Sequence, residues 1–390
     1  MKKTVLILFS LLLLSACPSR REDKVVPVRE QKVELSEVGF DELEGWNNDN
    51  LEDFVDVFKA NCEKIADLRT PNLASAEIQI NTRDYQNICR DFFAAEIDNG
   101  RDLKAFLQAN FTPYLVQADG DAEGKFTSYY ESEIFASRQK HGKYIYPVYG
   151  KPSDLIEINL KDFDPDLPNK RLLGRVSQQK MLPYYTRAEI ENNNFNAPVL
   201  LWADSLIDIH IMQIQGSAVA HLDDGSEVRV GYADNNGRRF KGIGSILLGK
   251  GLIKSGQADM INIKKWLKNN PEQARNLMQE NERFIFHRIV DASGPIGAFG
   301  IPLTAGRSLA VDRQYIPLGA LLWLSTTTPD KQPLQKLVAA QDIGSAIKGA
   351  VRGDYFWGSG GDEILAFAGK MNNRGHYYIF IPKVKNDVAK

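Results

Sequence analysis

Apolar residues recur along this chain with different spacings, and the changes of spacing mark out its parts. Val5 to Leu14 is apolar apart from Ser10, a run shorter than the roughly 20 residues a membrane-crossing helix needs. Residues 18–46 are polar and charge-mixed with no period, which predicts a tether. From Leu51 to about Gln108 the spacing is helical. Leu51, Phe54, Val55, Phe58, Cys62 and Ile65 fall on one stripe, and Tyr85, Ile88, Cys89, Phe92, Phe93 and Ile97 on another. Strand patterns begin near Phe126. Ser226 to Gly231 alternates as a strand, with a turn at Asp234-Asn235-Asn236-Gly237. Gln213 and Gln215, two apart, read as one face of a strand. A helix is predicted over Ala258–Asn269, and another starts at Asn270-Pro271. From Phe284 onward short strands with Gly and Pro turns return, with one helix at Asp362–Met371.

Composition adds bounds. The chain has 390 residues, 43% of them apolar, enough for two domains with their own cores. With 48 basic and 50 acidic residues the net charge is −2, so no basic excess points to nucleic acid. Lys2 and Lys3 precede the apolar run, which ends in Leu14-Ser15-Ala16-Cys17. This is a targeting segment and resembles the lipobox of bacterial lipoproteins. That resemblance implies lipidation of Cys17 and, with Pro18 next, an outer-membrane lipoprotein facing the periplasm. Export permits a disulfide between Cys62 and Cys89, which face inward from sequential helices; two buried free thiols are the alternative. The five histidines show no paired ligand spacing and no phosphate-cradling loop is present, so neither metal nor cofactor is expected.

Candidate chemistry concentrates near the C-terminus. Asp312, Asp342 and Asp354 lie in short apolar stretches, the last two flanking a glycine-punctuated loop, and Tyr355, Phe356 and Trp357 follow Asp354. Acids set among strands with Gly turns suit a site where a carboxylic acid protonates a glycosidic oxygen. Any one of them alone is equally a turn cap.

These segments resemble the three-aspartate ("3D") domain: Ala310-Val311-Asp312 with Ile316-Pro317-Leu318-Gly319, then Asp342-Ile343-Gly344 with Ala346-Ile347-Lys348-Gly349, then Asp354. Four earlier segments, in order, narrow the resemblance to the membrane-bound lytic murein transglycosylase A family. They are Phe126 to Glu131, Pro183 to Ile190, Met212 to Ser217 and Arg229 to Ala233. Ser345, Ser132 and Ala218 depart from the family pattern in loops. The family implies a mainly β fold with helical additions: a double-psi β-barrel domain (residues 47–131 and 285–390) with a second β-rich domain (132–284) inserted. A glycan groove would lie between them.

The family also implies a reaction on the β-1,4 bond between N-acetylmuramic acid and N-acetylglucosamine in peptidoglycan, leaving 1,6-anhydro ends. Asp354 matches the catalytic acid, and Asp342 is expected to orient a hydroxyl or tune Asp354. Asp312 is expected to be a structural anchor. Thr127, Tyr130, Gln213, Gln215 and Lys348 are candidate substrate contacts, Trp357 and Tyr185 candidate sugar platforms, and Gly353 and Gly358 positions of close backbone approach. A groove enzyme on one anchor is expected to act as a monomer. Two other readings stay open from sequence: an inverting hydrolase using Asp342 as base and Asp354 as acid, and a lipoprotein that binds peptidoglycan without cutting it.

Overall fold

Local capping chemistry starts most of the helices where the pattern changes. The computed structural model describes residues 31–384 apart from 76 and 194, so the leader, Cys17 and the first part of the tether lie outside the described residues. Helices Val55–Ala66, Thr82–Ala94 and Gly100–Asn110 occupy the first helical region, and Asn81 and Asn99 cap the second and third through backbone amides of Asp84 and Asp102. Their apolar stripes meet at Phe58 and Phe92, whose rings cross edge to face at 4.9 Å. Cys62 and Cys89 are joined in a disulfide across the first two helices. Replacing both cysteines by alanine is expected to lower the unfolding free energy by about 3–4 kcal/mol, since the bridge closes a loop of 27 residues. Urea denaturation checks this; a loss below about 1 kcal/mol would assign the stability of the pair to its apolar contacts.

The packed chain reaches further back than the tether expectation. Val33–Glu37 is a strand paired with Phe111–Ala118, and Leu43 and Trp46 are buried, Trp46 against Trp323 and Phe380. Two isolated apolar residues among charges carry no period, so only the barrel wall they meet reveals them.

Six strands close that barrel: Gly124–Ser137, Asn372–Pro382, Leu321–Thr327, Pro333–Ile343, Ser308–Val311 and Arg352–Ser359. Each pairs with the next and the last with the first. The pairings of Ser308–Val311 with Pro333–Ile343, and of Arg352–Ser359 with Gly124–Ser137, are parallel; the others are antiparallel. One apolar core runs from the N-terminal helices into the barrel. The 14-residue strand Gly124–Ser137 continues beyond it, so that Ser132 to Ala136 pair with Ala218–Leu222 in a second sheet, followed by Glu227–Asn235 and Ile285–Val290. This sheet has its own core around Ile134, Met212 and Val230. Helices Ile243–Gly249, Met260–Asn269 and Pro271–Gln279 bury a further cluster. Where the long strand passes between the sheets, the fully buried Glu131 accepts from Arg229 at 2.9 and 3.1 Å and from Ser359 at 2.5 Å. One carboxylate thereby ties the second sheet to the barrel.

Two expectations about local structure fail for physical reasons. Gln213 and Gln215 lie on a helix, Leu206–Gln215. The run Ile207-Asp208-Ile209-His210-Ile211 alternates like a strand, but Ser205 caps it, Gly216 ends it at φ 99°, and it is buried nearly all round. A helix so enclosed loses the single apolar stripe that identifies it. Asp234 and Asn235 remain in the strand that was expected to turn there, because Asp234 is held by Arg171 at 2.9 Å and Lys151 at 2.7 Å.

Candidate active site

Two acids from opposite sides of a loop face the same alanine. Ala310, in the strand Ser308–Val311, pairs with Asp342 on one side and Asp354 on the other, and Asp354 pairs in turn with Thr127 on the long strand. Residues directly opposite in a sheet project from the same face. The row Asp342, Ala310, Asp354, Thr127 therefore puts two carboxyl groups on one surface, two strands or about 10 Å of backbone apart. Ala310 between them is buried, and Asp342, Asp354 and Thr127 line a common cavity. That surface floors a cavity of about 740 Å³, whose walls include Tyr129, Gln213, Tyr232 and Phe240 as well as the loop after Asp342.

The two carboxyl groups are held differently. Asp342 has both oxygens occupied: Oδ2 accepts from the Tyr129 hydroxyl at 2.9 Å and Oδ1 from the Ala298 amide at 3.0 Å. Burial pushes its pKa up to about 6, helped by the negative charge of Asp354 and opposed by those donors and the Ile343 amide. Asp354 accepts from the Thr127 hydroxyl through Oδ1, and no partner takes Oδ2 among the described residues. Burial also raises the Asp354 pKa, against the pull of the Arg352 charge and the Thr127 hydrogen bond. Arg352 is fixed by the Lys125 carbonyl and donates to the Thr127 hydroxyl at 2.6 Å, so Thr127 passes an oriented donor to Asp354.

Asp312 is elsewhere. It is buried and accepts from the amides of Gln314 at 3.2 Å and Gly349 at 3.0 Å, and it pairs with Lys348 at 3.5 Å. It ties its own turn to the far part of the glycine loop; Gly349 sits at φ 117°, a conformation that favours glycine. Lys348 lines the cavity above it.

Of the other expected contacts, Thr127, Gln213 and Gln215 line the cavity. Arg187 donates to the Gln213 oxygen at 2.6 Å, and the Gln215 oxygen accepts from the Tyr130 amide at 3.2 Å. Tyr130 itself is buried behind the strand, and its neighbour Tyr129 takes the groove position. Alternation along a strand decides which of two adjacent tyrosines faces the groove, and the pair Tyr129-Tyr130 does not announce its phase. Trp357 packs on Tyr355 and Phe367 and Tyr185 on Phe195, away from the cavity. Gly353 clears the Phe126 ring, which a Cβ would meet at 2.9 Å, and so serves the core and not a ligand. Tyr129, Ala310 and Arg352 carried no chemical signal of their own in the sequence; only strand pairing reveals them.

Comparison with known proteins agrees with this architecture. Residues 125–288 match the MltA specific insert domain and residues 307–381 the 3D domain. The chain is 31% identical over 290 residues to membrane-bound lytic murein transglycosylase A of Escherichia coli K12, covering 72% of each chain. Among solved structures, MltA from Neisseria gonorrhoeae superposes with a TM-score of 0.78 at 30% identity, covering 91% of this chain and 94% of that one. The membrane-bound lytic murein transglycosylase from Agrobacterium tumefaciens gives a TM-score of 0.78 at 26% identity, with 89% and 97% covered.

Proposed function

The chain belongs to the lytic murein transglycosylase A family and is a peptidoglycan-cleaving lytic transglycosylase; we propose that Asp354 is the group that carries its reaction. The observation behind this is that Asp354 lines the cavity with an Oδ2 that takes no partner among the described residues, set against the two occupied oxygens of Asp342. A carboxyl group can give a proton to a bound oxygen only through an atom not already bound to a fixed donor.

Protonated Asp354 donates to the oxygen that bridges muramic acid to N-acetylglucosamine, and that bond breaks. The 6-hydroxyl of the same muramic acid attacks its anomeric carbon and returns its proton to Asp354, closing the 1,6-anhydro ring. The nucleophile belongs to the substrate, so holding it in place supplies a large effective concentration relative to water. Asp342, kept in position by Tyr129 and Ala298, adds negative charge near the positively charged sugar that forms. Thr127, Gln213, Gln215 and Lys348 contact the glycan.

An acid that must start protonated loses rate as pH rises through its pKa. The Thr127 hydrogen bond favours the ionised form of Asp354, so Thr127→Val is expected to move the fall in kcat/KM to higher pH. A pH–rate profile on soluble glycan strands checks this; a fall that stays in place or moves down would remove Thr127 from the proton balance.

The same reading places the boundaries of the inserted domain near residues 132 and 284. It makes Cys17 the lipid anchor in the outer membrane, with a monomeric enzyme facing the periplasm. The curated relatives are named as membrane-bound, and among the described residues no helix is long and apolar enough to cross a membrane. Metabolic labelling with a palmitate analogue, compared between the full chain and Cys17→Ala, tests the anchor; label retained by the variant would overturn it.

A further inference from the structure

The groove carries cationic side chains from both the barrel and the second sheet that the cleavage chemistry does not use. Arg283, Arg288 and Arg313 line the same cavity as Asp354. Arg283 and Arg288 come from the second sheet and its approach, Arg313 from the turn after the barrel strand Ser308–Val311. Arg288 and Arg313 are exposed and Arg283 is half-buried. Arg283 donates to the Arg238 carbonyl at 3.3 Å, and none of the three is ion-paired with a carboxylate among the described residues. Arg187, which lines the same cavity, is by contrast committed to Glu191 at 2.9 Å, as Arg171, Arg229 and Arg307 are to acids at 2.6–2.9 Å. The chain as a whole is close to neutral, at −2, so three unpaired guanidinium groups in one cavity are a local excess.

An N-acetylated sugar backbone is uncharged and gives arginine no counter-ion. The negative charges of peptidoglycan are carboxylates, carried by the peptide on the lactyl group or, once that peptide is removed, by the lactyl group itself. Guanidinium matches carboxylate geometry with two parallel hydrogen bonds. We propose that Arg283, Arg288 and Arg313 form a carboxylate-binding site that reads the acidic substituent of the muramic acid, and so sets which glycans the groove accepts. This rests on the groove being the glycan site, as above.

The test uses the Asp354→Asn chain as a binder that does not consume its ligand. Its affinity is measured for three soluble probes: peptide-bearing glycan strands, amidase-stripped strands with free lactyl carboxylates, and uncharged N-acetylglucosamine hexamers. Adding Arg288→Gln and Arg313→Gln is expected to weaken peptide-bearing strands about tenfold, as loss of charge-assisted hydrogen bonds does, with the hexamer held within about twofold. In the protein with its arginines intact, affinity for charged strands should fall with salt while that for the hexamer stays flat. Equal loss on stripped strands would assign the site to the lactyl carboxylate and no loss there to the stem peptide. No loss on any probe, or the same loss on all three, overturns the proposal. With Asp354 intact, the double variant should raise KM for peptide-bearing strands and keep kcat; a fall in kcat with a lower melting temperature would mean a structural role. Absence of anhydro products from the unsubstituted enzyme would instead sink the cleavage reading, a separate measurement that leaves the binding comparison intact.

Discussion

Asp354→Asn is expected to end the release of 1,6-anhydro muropeptides from purified sacculi, a loss of at least about 10²–10⁴-fold from removing a general acid. The loss should approach the upper end because one carboxyl group serves as both acid and base, and no second group in the row replaces it. Asp342 is too committed to Tyr129 and Ala298 to substitute. The comparison is mass spectrometry of soluble products from a version lacking residues 1–17, with and without the substitution. Asn keeps the acceptor for the Thr127 hydroxyl, so binding to sacculi should persist. Anhydro products at undiminished rate from the variant would shift the acid to Asp342. Reducing-end products from the unsubstituted enzyme would indicate a water nucleophile and make Asp342 the base.

Asp49→Ala is expected to destabilise the fold by about 3–5 kcal/mol, the usual cost of leaving a buried charge without its partner. Asp49 is fully buried and accepts from Arg307 at 2.6 and 2.7 Å, from Lys336 at 3.0 Å and from the Leu337 amide at 3.1 Å. Arg307 is buried too and leads directly into the strand that carries Ala310. Burial alone would raise the Asp49 pKa, but Arg307, the Leu337 amide and Lys336 together lower it. A depressed folded pKa contributes stability that is present above the ordinary value of 3.8 and lost as pH falls through the folded one. The gap between the two proteins should therefore be full at neutral pH and shrink in acid. Urea midpoints at several pH values measure it, and a gap below about 1 kcal/mol at pH 7 would mean that Asp53, the other partner of Arg307, suffices alone.

Much of the site was legible in the sequence, for reasons that are local. Asp342 and Asp354 bracket a loop whose glycines announce a turn, and the aromatics after Asp354 announce burial. The stripes through Cys62 and Cys89 announced helices that face each other. What failed to show was phase and partner. Tyr129 and Tyr130 are chemically alike, and only the strand's face separates groove from core. The alternating residues of Leu206–Gln215 mimicked a strand because their helix is enclosed by protein on most sides.

By itself the sequence determined the residue types that catalysis needs, the caps and turns that punctuate the elements, and the family to which their order belongs. The tertiary structure decided which of those residues meet. Asp342, Ala310, Asp354 and Thr127 form one row only because strands far apart in the chain pair in a particular register, two of the three pairings being parallel and so dependent on long crossovers. Register is set by how whole strands bury their apolar faces in a closed barrel. No short window of sequence contains that information, and the proton on Asp354 depends on it.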